Sequence, residues 1–253
     1  MAIFTGTIWL NIGTTQSEVQ DRFSVHFFAA AFLCSMTIAV IPAFIEEKNV
    51  FDRERRNASY GVLSYVLSNT LMSLPFVLLL AVVFTIIAYP MIGLHRGADK
   101  WSKFLLTLFL ALYCAESIVL FVSGVFPIFI VALALLAFLT GFFLLVQGFF
   151  VAYENLPAFW IWAHYWSYQS YAFENLVYND FTGLTFSCDR NSDGSCFCAV
   201  PSSLNAQCEF TGTDVLSLYD YQNTNFWLKT GILVIQIVTY RLLFYVILRI
   251  KKK

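Results

Sequence analysis

The stretch GVLSYVLSNTLMSLPFVLLLAVVFTIIAYPMI, residues 61–92, contains no charged side chain. A helix of about 20 apolar residues is already long enough to cross the roughly 30 Å hydrocarbon core of a bilayer. An uncharged run of this length is typical of a transmembrane helix. The segment therefore predicts an integral membrane protein.

Other apolar segments, separated by short polar connections, extend this pattern along the chain. Those long enough to span a membrane cover residues 25–44, 104–126, 128–150 and 226–248. Residues 1–12 are too short to span, and they lack the basic start and the cleavage site of a signal peptide. We expect them to be the end of a first span that begins before Met1; the alternative is a short interfacial segment.

The composition excludes a water-soluble domain. The chain of 253 residues is 59% hydrophobic and 12% charged, whereas soluble domains contain about 25% charged residues. Such a low charge content cannot provide a polar shell around a globule of this size. The net charge of −1 also gives no indication of nucleic-acid binding.

The orientation follows from basic residues in short loops, which stay on the cytosolic side. Segment 46–60 contains Lys48, Arg53, Arg55 and Arg56, and the C-terminus ends in the basic run 249–253. Both are expected to be cytosolic, which places loops 14–23 and 95–103 and the long segment 151–225 outside. The sole N-x-[ST] motif, Asn57–Ser59, falls in the predicted cytosolic loop.

Six cysteines divide into two groups. Cys34 and Cys114 lie inside predicted spans, and the other four are Cys188, Cys196, Cys198 and Cys208. Because those four lie in a predicted extracellular loop, we expect disulfides, with three possible connectivities. Their spacing lacks the paired arms of a zinc motif and no histidine is nearby, so we predict no metal site.

Catalytic motifs are not evident in the sequence. It contains no G-x-x-x-x-G-K-[ST] phosphate-binding loop, so this chain is not expected to hydrolyse ATP or to hold a cofactor. His26, His95 and His164 are far apart in sequence, without a common partner. An intramembrane enzyme is therefore disfavoured.

Segment 46–60 is the most polar part of the chain and admits two interpretations. It can be a solvated hairpin that orients the flanking spans. Alternatively, its mixed charges and the aromatic ring of Phe51 can dock on a cytosolic partner, with the ring as the anchor.

Two charged residues fall inside predicted spans. Glu116 lies near the middle of its span, where a charge is costly; it is either a neutral, hydrogen-bonded group or part of a pathway. Arg241 lies near the cytosolic end of the last span, and we expect its side chain to extend to the lipid headgroups.

The segment from Glu154 to Phe181 is rich in tryptophan and tyrosine. It contains too many polar groups to span, and aromatic rings with polar tips favour the membrane interface. We predict one or two short helices that enter the outer leaflet. Interfacial anchoring is expected for most of these rings, and a gate above a central cavity is the alternative.

Several motifs together resemble the White/ABCG subfamily of ATP-binding-cassette transporters, whose membrane domain has the ABC-2 type (type II exporter) fold. They are GTIWLNIGTTQSEVQDR (6–22), the pattern of Glu47, Phe51, Arg53 and Glu54, YPMIGL (89–94), ENLVYNDFTG (174–183) and YRLLFYVILR (240–249). The resemblance covers nearly the whole chain. It implies an all-α domain of six spans, here with the first span truncated, and short re-entrant outer helices before the last span.

The resemblance also implies functional sites. A coupling helix facing a nucleotide-binding domain would carry Glu47, Phe51, Arg53 and Glu54. A central cavity between the second and fifth spans would be lined by Phe32, Ser35, Met36, Ala137, Thr140, Gly141 and Leu144. An outer plug would comprise Gly148, Phe149, Phe150 and Val151. In some relatives the outer-loop cysteines pair within the chain and another crosses the dimer axis, which implies Cys188 with Cys208 and leaves Cys196 or Cys198 for the partner.

The expected function is therefore that of the translocating part of an ATP-driven exporter of lipids, sterols or xenobiotics, working by alternating access in a homo- or heterodimer in the plasma membrane. The family's nucleotide-binding domain, which would bind ATP and Mg²⁺ and make the full transporter an ATP-hydrolysing translocase, is absent from this sequence, as is most of the first span. The chain is thus expected to be a fragment or a truncated product. The alternative function is a non-transporting membrane scaffold or remnant.

Overall fold

The computed structural model describes residues 1–57, 60–190 and 196–251. Its helices are α1 (Ala2–Ile8), α2 (Val19–Met36), α3 (Ile41–Arg56), α4 (Val62–Ile92), α5 (Ala98–Val125), α6 (Phe129–Val146), α7 (Ile161–Trp166), α8 (Tyr168–Phe181), α9 (Gly212–Leu218) and α10 (Phe226–Ile250). Within the described ranges, five helical segments are long and apolar enough to cross a membrane. This confirms the predicted all-α membrane fold. Ser59 of the Asn57–Ser59 motif and the last two lysines lie outside the described residues.

The second predicted span and the segment after it form one continuous helical run. A 3-10 turn at Thr37–Val40 joins α2 to α3, so that helical structure extends from Gln16 to Arg56. A solvated hairpin was one of the two interpretations of segment 46–60. Most of this segment belongs instead to helix α3. Pro42 lies in the first turn of α3, directly after the 3-10 turn, where proline is tolerated.

The long uncharged stretch forms α4, as predicted. It ends where Gly93 takes a φ of 76°, a left-handed conformation that terminates helices. The chain then turns through residues 94–97 into α5, which begins six residues earlier than the predicted span at 104. This helix is the most buried of the five spans.

Helix α5 forms the centre of the bundle, and α10 packs closely along it. A Cβ at Gly124 would lie 3.0 Å from the ring of Phe244, which is tighter than ordinary packing. A glycine at this position therefore allows the two helices to approach each other at one end of the bundle. We call this end, which carries α3 and the last turn of α10, the basic end.

The opposite end, which we call the disulfide end, carries two small antiparallel sheets. Their strands are β1 (Thr185–Ser187) with β4 (Glu209–Thr211), and β2 (Asp189–Arg190) with β3 (Cys196–Phe197). Phe186 of β1 and Phe210 of β4 are directly opposite each other and fully buried. They stack at 5.4 Å between ring centroids, which gives this end a hydrophobic cluster of its own.

The aromatic segment separates into an exposed part and a buried part. Trp160, Trp162 and Trp166 are exposed. Interfacial anchoring stays a prediction for these three rings. The same prediction is wrong for Tyr168 and Tyr171, which are buried, because α8 packs against α2, α5 and α10. Helix α8 is thus part of the core.

Candidate functional site

The predicted plug residues follow the end of α6. The helix stops at Val146, and Gly148 adopts a φ of 106°. A Cβ on Gly148 would also collide with the hydroxyl of Tyr221, so both backbone conformation and space require glycine. The span predicted for residues 128–150 is therefore four residues too long at this end.

Phe149 and Phe150 form an aromatic cluster with α2. The ring of Phe27 stacks on Phe149 at 4.4 Å and meets Phe150 edge-on at 5.1 Å. Phe149 is half-buried, whereas Phe150 and Val151 are exposed. The cluster leaves one apolar face of this segment uncovered in the single chain.

The predicted cavity residues lie on α2 and α6 but do not enclose one cavity in the single chain. Leu144 packs against the buried cluster that contains Phe27. Met36 faces a large groove between α2 and α4, and Thr140 faces a small void beside Cys34. Phe32, Ser35 and Gly141 are half-buried, and Ala137 is exposed. A common cavity would need a second chain.

The large groove has a volume of about 670 Å³ and is lined by the α2–α3 run, α4 and α5. Its walls are mostly apolar. Its polar lining includes Glu116, Asn69 and Ser73. This groove was not predicted from the sequence, because it forms only where the α2–α3 run packs beside α4 and α5.

Arg241 contacts all three of these polar residues. Its guanidinium lies 3.2 Å from Glu116 Oε2, 3.1 Å from Asn69 Oδ1 and 3.3 Å from Ser73 Oγ. A fourth hydrogen bond goes to Ser117 Oγ at 3.0 Å. The prediction that Arg241 extends to the headgroups is therefore wrong, because α4 and α5 offer enough acceptors to hold it inside the bundle. Glu116 is an ion-paired residue at the edge of the groove.

Helix α3 carries the four predicted coupling-helix residues and has one buried face. Its buried side chains recur every three or four residues, at Ile41, Phe44, Lys48 and Phe51. Phe51 is fully buried and stacks on Tyr65 at 4.1 Å. The interpretation of Phe51 as an exposed docking anchor is wrong, because the ring packs against α4.

The opposite face of α3 is exposed and carries Arg53. Glu47 is also exposed, but it lies one turn before Phe51 and lines the large groove. Glu54 is half-buried and accepts a hydrogen bond of 2.5 Å from Tyr60 Oη. This bond and the nearby carboxylate charge raise the pKa of Tyr60 to about 12. Arg53, and not the ring of Phe51, thus lies on the free surface of α3.

Lys48 and Arg55 fasten α3 to the ends of α5 and α10, and Lys251 joins the end of α10 to the end of α5. Lys48 Nζ donates to Gly124 O at 2.9 Å, and Lys251 Nζ donates to the same oxygen at 3.0 Å. Arg55 donates to Leu248 O at 2.7 Å. Cations are favourable at helix C-termini, where the last carbonyls lack partners. Movement of α3 is therefore coupled to these two spans.

A buried ionic cluster lies at the disulfide end. Arg22 donates to Asp180 Oδ2 at 2.9 Å, and the backbone N–H of His95 donates to Oδ1 at 2.9 Å. His26 Nε2 lies 3.3 Å from Oδ2. Arg22 also donates to Ile12 O and Gly13 O. One carboxylate thus connects α2, α8 and two loops.

This environment fixes the charge of Asp180. Burial by itself would raise the pKa of Asp180, but the neighbouring His26 ring, the charge of Arg22 and the His95 N–H hold it well below its usual value. His26 and His95 are far apart in sequence, and neither Arg22 nor Asp180 was predicted as a site residue. The sequence indicated the importance of Arg22 and Asp180 only in that both lie in motifs that carry the family resemblance, residues 6–22 and 174–183.

The four loop cysteines form two disulfides, Cys188–Cys198 and Cys196–Cys208. The implied pairing of Cys188 with Cys208 is wrong. Strands β2 and β3 pair Asp189 with Phe197 and Arg190 with Cys196, and one further step of this antiparallel register sets Cys188 opposite Cys198. Within the described ranges, no cluster of His, Cys, Asp or Glu is suited to a metal ion.

Comparison with known proteins assigns the family. Residues 1–181 match the family model for the ABC-2 type transporter. The chain is 31% identical over 98% of its length to ABC transporter G family member 11 of Arabidopsis thaliana, and 32% identical over 98% to member 4 of the same species. It is also 31% identical over 98% to ABC transporter G family member 1 of Petunia hybrida.

The chain spans only about a third to two-fifths of these relatives, at 34%, 42% and 37% of their respective lengths. Within that part the match runs through all five membrane helices. The protein is therefore a multi-pass integral membrane protein, and it belongs to the G family of ABC transporters, whose ABC-2 type membrane domain it forms.

Proposed function

We propose that the chain is the substrate-translocating part of an ATP-driven exporter of hydrophobic or amphipathic small molecules such as lipids, sterols or xenobiotics. It works by alternating access in a homo- or heterodimer. Each chain cooperates with a nucleotide-binding domain that binds ATP and Mg²⁺. The basic end and the C-terminus face the cytosol, and the complex resides in the plasma membrane.

The continuous helical run from Gln16 to Arg56 is the observation that supports this proposal. At one end of the run Phe27 stacks on Phe149, and at the other Arg53 is exposed on α3. A force applied to the free face of α3 therefore reaches the aromatic cluster through one helical segment. This is the connection that an ATP-driven gate requires.

The proposed cavity residues support the class of cargo. The set Phe32, Ser35, Met36, Ala137, Thr140, Gly141 and Leu144 is mostly apolar or small, and a dimer would bring two copies of this surface together. Such a surface gains from burying apolar ligand area. Gly148, Phe149, Phe150 and Val151 would close the cavity towards the outside.

The coupling role of α3 can be tested in proteoliposomes that contain the chain assembled with an ATP-hydrolysing domain. Arg53→Ala removes an exposed charge from the proposed docking face, so ATP-dependent uptake of a fluorescent lipid should fall about tenfold, as expected when an interface contact worth about 1.4 kcal/mol is lost. The matched control is Arg96→Ala, which removes an exposed arginine at the disulfide end.

Equal transport by Arg53→Ala and the wild type would contradict the docking role of this face. The absence of any ATP-dependent uptake by the wild-type assembly, with ATP hydrolysis intact, would instead favour a non-transporting scaffold.

A further inference from the structure

The basic end contains two exposed arginines that the bundle does not use. Arg56 ends α3 and Arg249 lies in the last turn of α10, and both are exposed. In the described part of the chain neither guanidinium has a hydrogen-bond or carboxylate partner. Lys48, Lys251 and Arg55 already donate to carbonyls at the helix ends. Arg56 and Arg249 are therefore not needed to bind these carbonyls.

A hydrogen bond between their neighbours links the two helix ends that carry these arginines. Arg55 donates to Leu248 O at 2.7 Å, and Arg56 and Arg249 are the next residues on the two helices. The last turn of α3 therefore reaches the last turn of α10 through the Arg55 side chain. Two guanidiniums on adjoining turns can bind one phosphate group, since arginine matches phosphate with paired N–H donors.

The surface beside Arg249 indicates which molecule carries the phosphate. Ile235, Val238, Leu242 and Val246 are exposed by 66%, 51%, 58% and 44%. They recur every three or four residues, and Arg249 continues the same helical face. Because these side chains are exposed, a lipid acyl chain can pack along them, and Arg249 at the end of the stripe would then lie beside the lipid headgroup.

The surrounding charges favour an anionic headgroup. Glu54 is hydrogen-bonded to Tyr60, and Glu46 and Glu47 lie near the other end of α3. Arg53, on the opposite face of α3 from Phe51, belongs to the proposed docking surface and not to this corner. Among the nearby acids, Asp52 is half-buried and forms no ion pair with Arg56 within the described residues.

We propose that Arg56 and Arg249 bind the phosphate of an anionic glycerophospholipid, with an acyl chain along the stripe from Ile235 to Val246. Such a lipid would bridge α3 and α10 from outside the bundle, in addition to the Arg55 hydrogen bond. Its binding would therefore stabilise one position of α3. The site does not depend on the transported cargo.

The test uses the complete chain in nanodiscs of phosphatidylcholine with a minor fraction of phosphatidylserine. After detergent extraction, mass spectrometry measures the ratio of the two lipids that remain bound. The wild type should retain phosphatidylserine above its bulk fraction. Arg56→Gln and Arg249→Gln should each lower this enrichment about fivefold, the effect expected for one cation at an anionic surface.

The controls separate this site from general attraction to a charged membrane. Arg53→Gln changes the opposite face of α3, and Arg96→Gln changes the disulfide end; both should keep the wild-type enrichment. Equal losses in these controls would overturn the proposal in favour of diffuse electrostatics. Equal thermal unfolding midpoints across the variants would establish that the bundle is intact. Leu242→Gln should also reduce the retention of phosphatidylserine, because it interrupts the acyl-chain stripe.

Two further outcomes would also overturn the proposal. Displacement of phosphatidylserine by millimolar inorganic phosphate would indicate a site for the free anion and not for a lipid. Unchanged lipid enrichment in Arg56→Gln and Arg249→Gln, together with weaker binding of an ATP-hydrolysing domain, would assign both arginines to protein docking.

Discussion

Two buried arginine–carboxylate pairs hold this membrane domain together, and their surroundings differ. At the disulfide end, Arg22 and Asp180 are 2% and 3% exposed, and both Asp180 oxygens accept hydrogen bonds. Inside the bundle, Glu116 receives one hydrogen bond from Arg241 at 3.2 Å and borders the large groove. The first pair is enclosed and fully bonded, whereas the second lies beside open space.

This difference separates a structural role from an adjustable one. The Arg22–Asp180 pair connects four segments, so its partners cannot exchange without disrupting the disulfide end. Arg241 has several acceptors on α4 and α5, and its guanidinium also lies over the Tyr113 ring at 4.8 Å. It can exchange one acceptor for another when the helices move. We therefore expect substitutions to reduce stability at the first pair and to affect transport at the second.

The largest effect is expected for Asp180→Asn. The change leaves the buried Arg22 charge without its counterion, which should cost about 3–5 kcal/mol. Thermal unfolding in detergent and the yield of folded protein would measure the loss. Asp189→Asn is the control, because it changes an exposed aspartate of the same end that accepts a hydrogen bond from Gln16. Similar stability of Asp180→Asn and the wild type would remove the distinction between the two pairs.

A smaller loss, of about 1–3 kcal/mol, is expected for Glu116→Gln, because Glu116 borders the groove and Arg241 retains its side-chain acceptors Asn69, Ser73 and Ser117. Transport should fall more than stability does. The double variant Glu116→Leu/Arg241→Met should recover stability, since apolar replacement of a whole buried pair is often neutral, but it should not recover transport. Full transport by this double variant would assign a purely structural role to the pair.

The smallest effect concerns pH. The pKa of Asp180 is lowered in the folded protein, so its stabilisation is fully present above the unfolded pKa of about 3.9 and is lost as pH falls through the lower folded pKa. The stability difference between wild type and Asp180→Asn should therefore stay nearly constant from about pH 8 to pH 5. Unfolding midpoints of the wild type and of Asp180→Asn, measured across this pH range, would check this prediction. The same pair should also be measured with His26→Gln added to both proteins, which removes the neighbouring imidazole. A steep decline near neutral pH in that background would contradict the assignment.

The errors of the sequence analysis share one physical origin. The positions of the spans were predicted well because a bilayer requires long uncharged runs, which are local features. Arg241 was misplaced because Asn69, Ser73, Glu116 and Ser117, which hold it, lie more than a hundred residues away. Phe51 was misplaced because its mixed-charge helix gives no local sign that Tyr65 covers the ring. The implied pairing of Cys188 with Cys208 did not take account of the register of two short strands.

The sequence by itself determined that this chain crosses a membrane, which apolar segments cross it and to which family it belongs, since hydropathy and motif order are properties of contiguous residues. The tertiary structure decided which charges are paired, which face of α3 remains free and which cysteines bond. Those outcomes depend on contacts between distant segments. They follow from the requirement that a buried charge or polar group find a partner wherever the packed helices provide one.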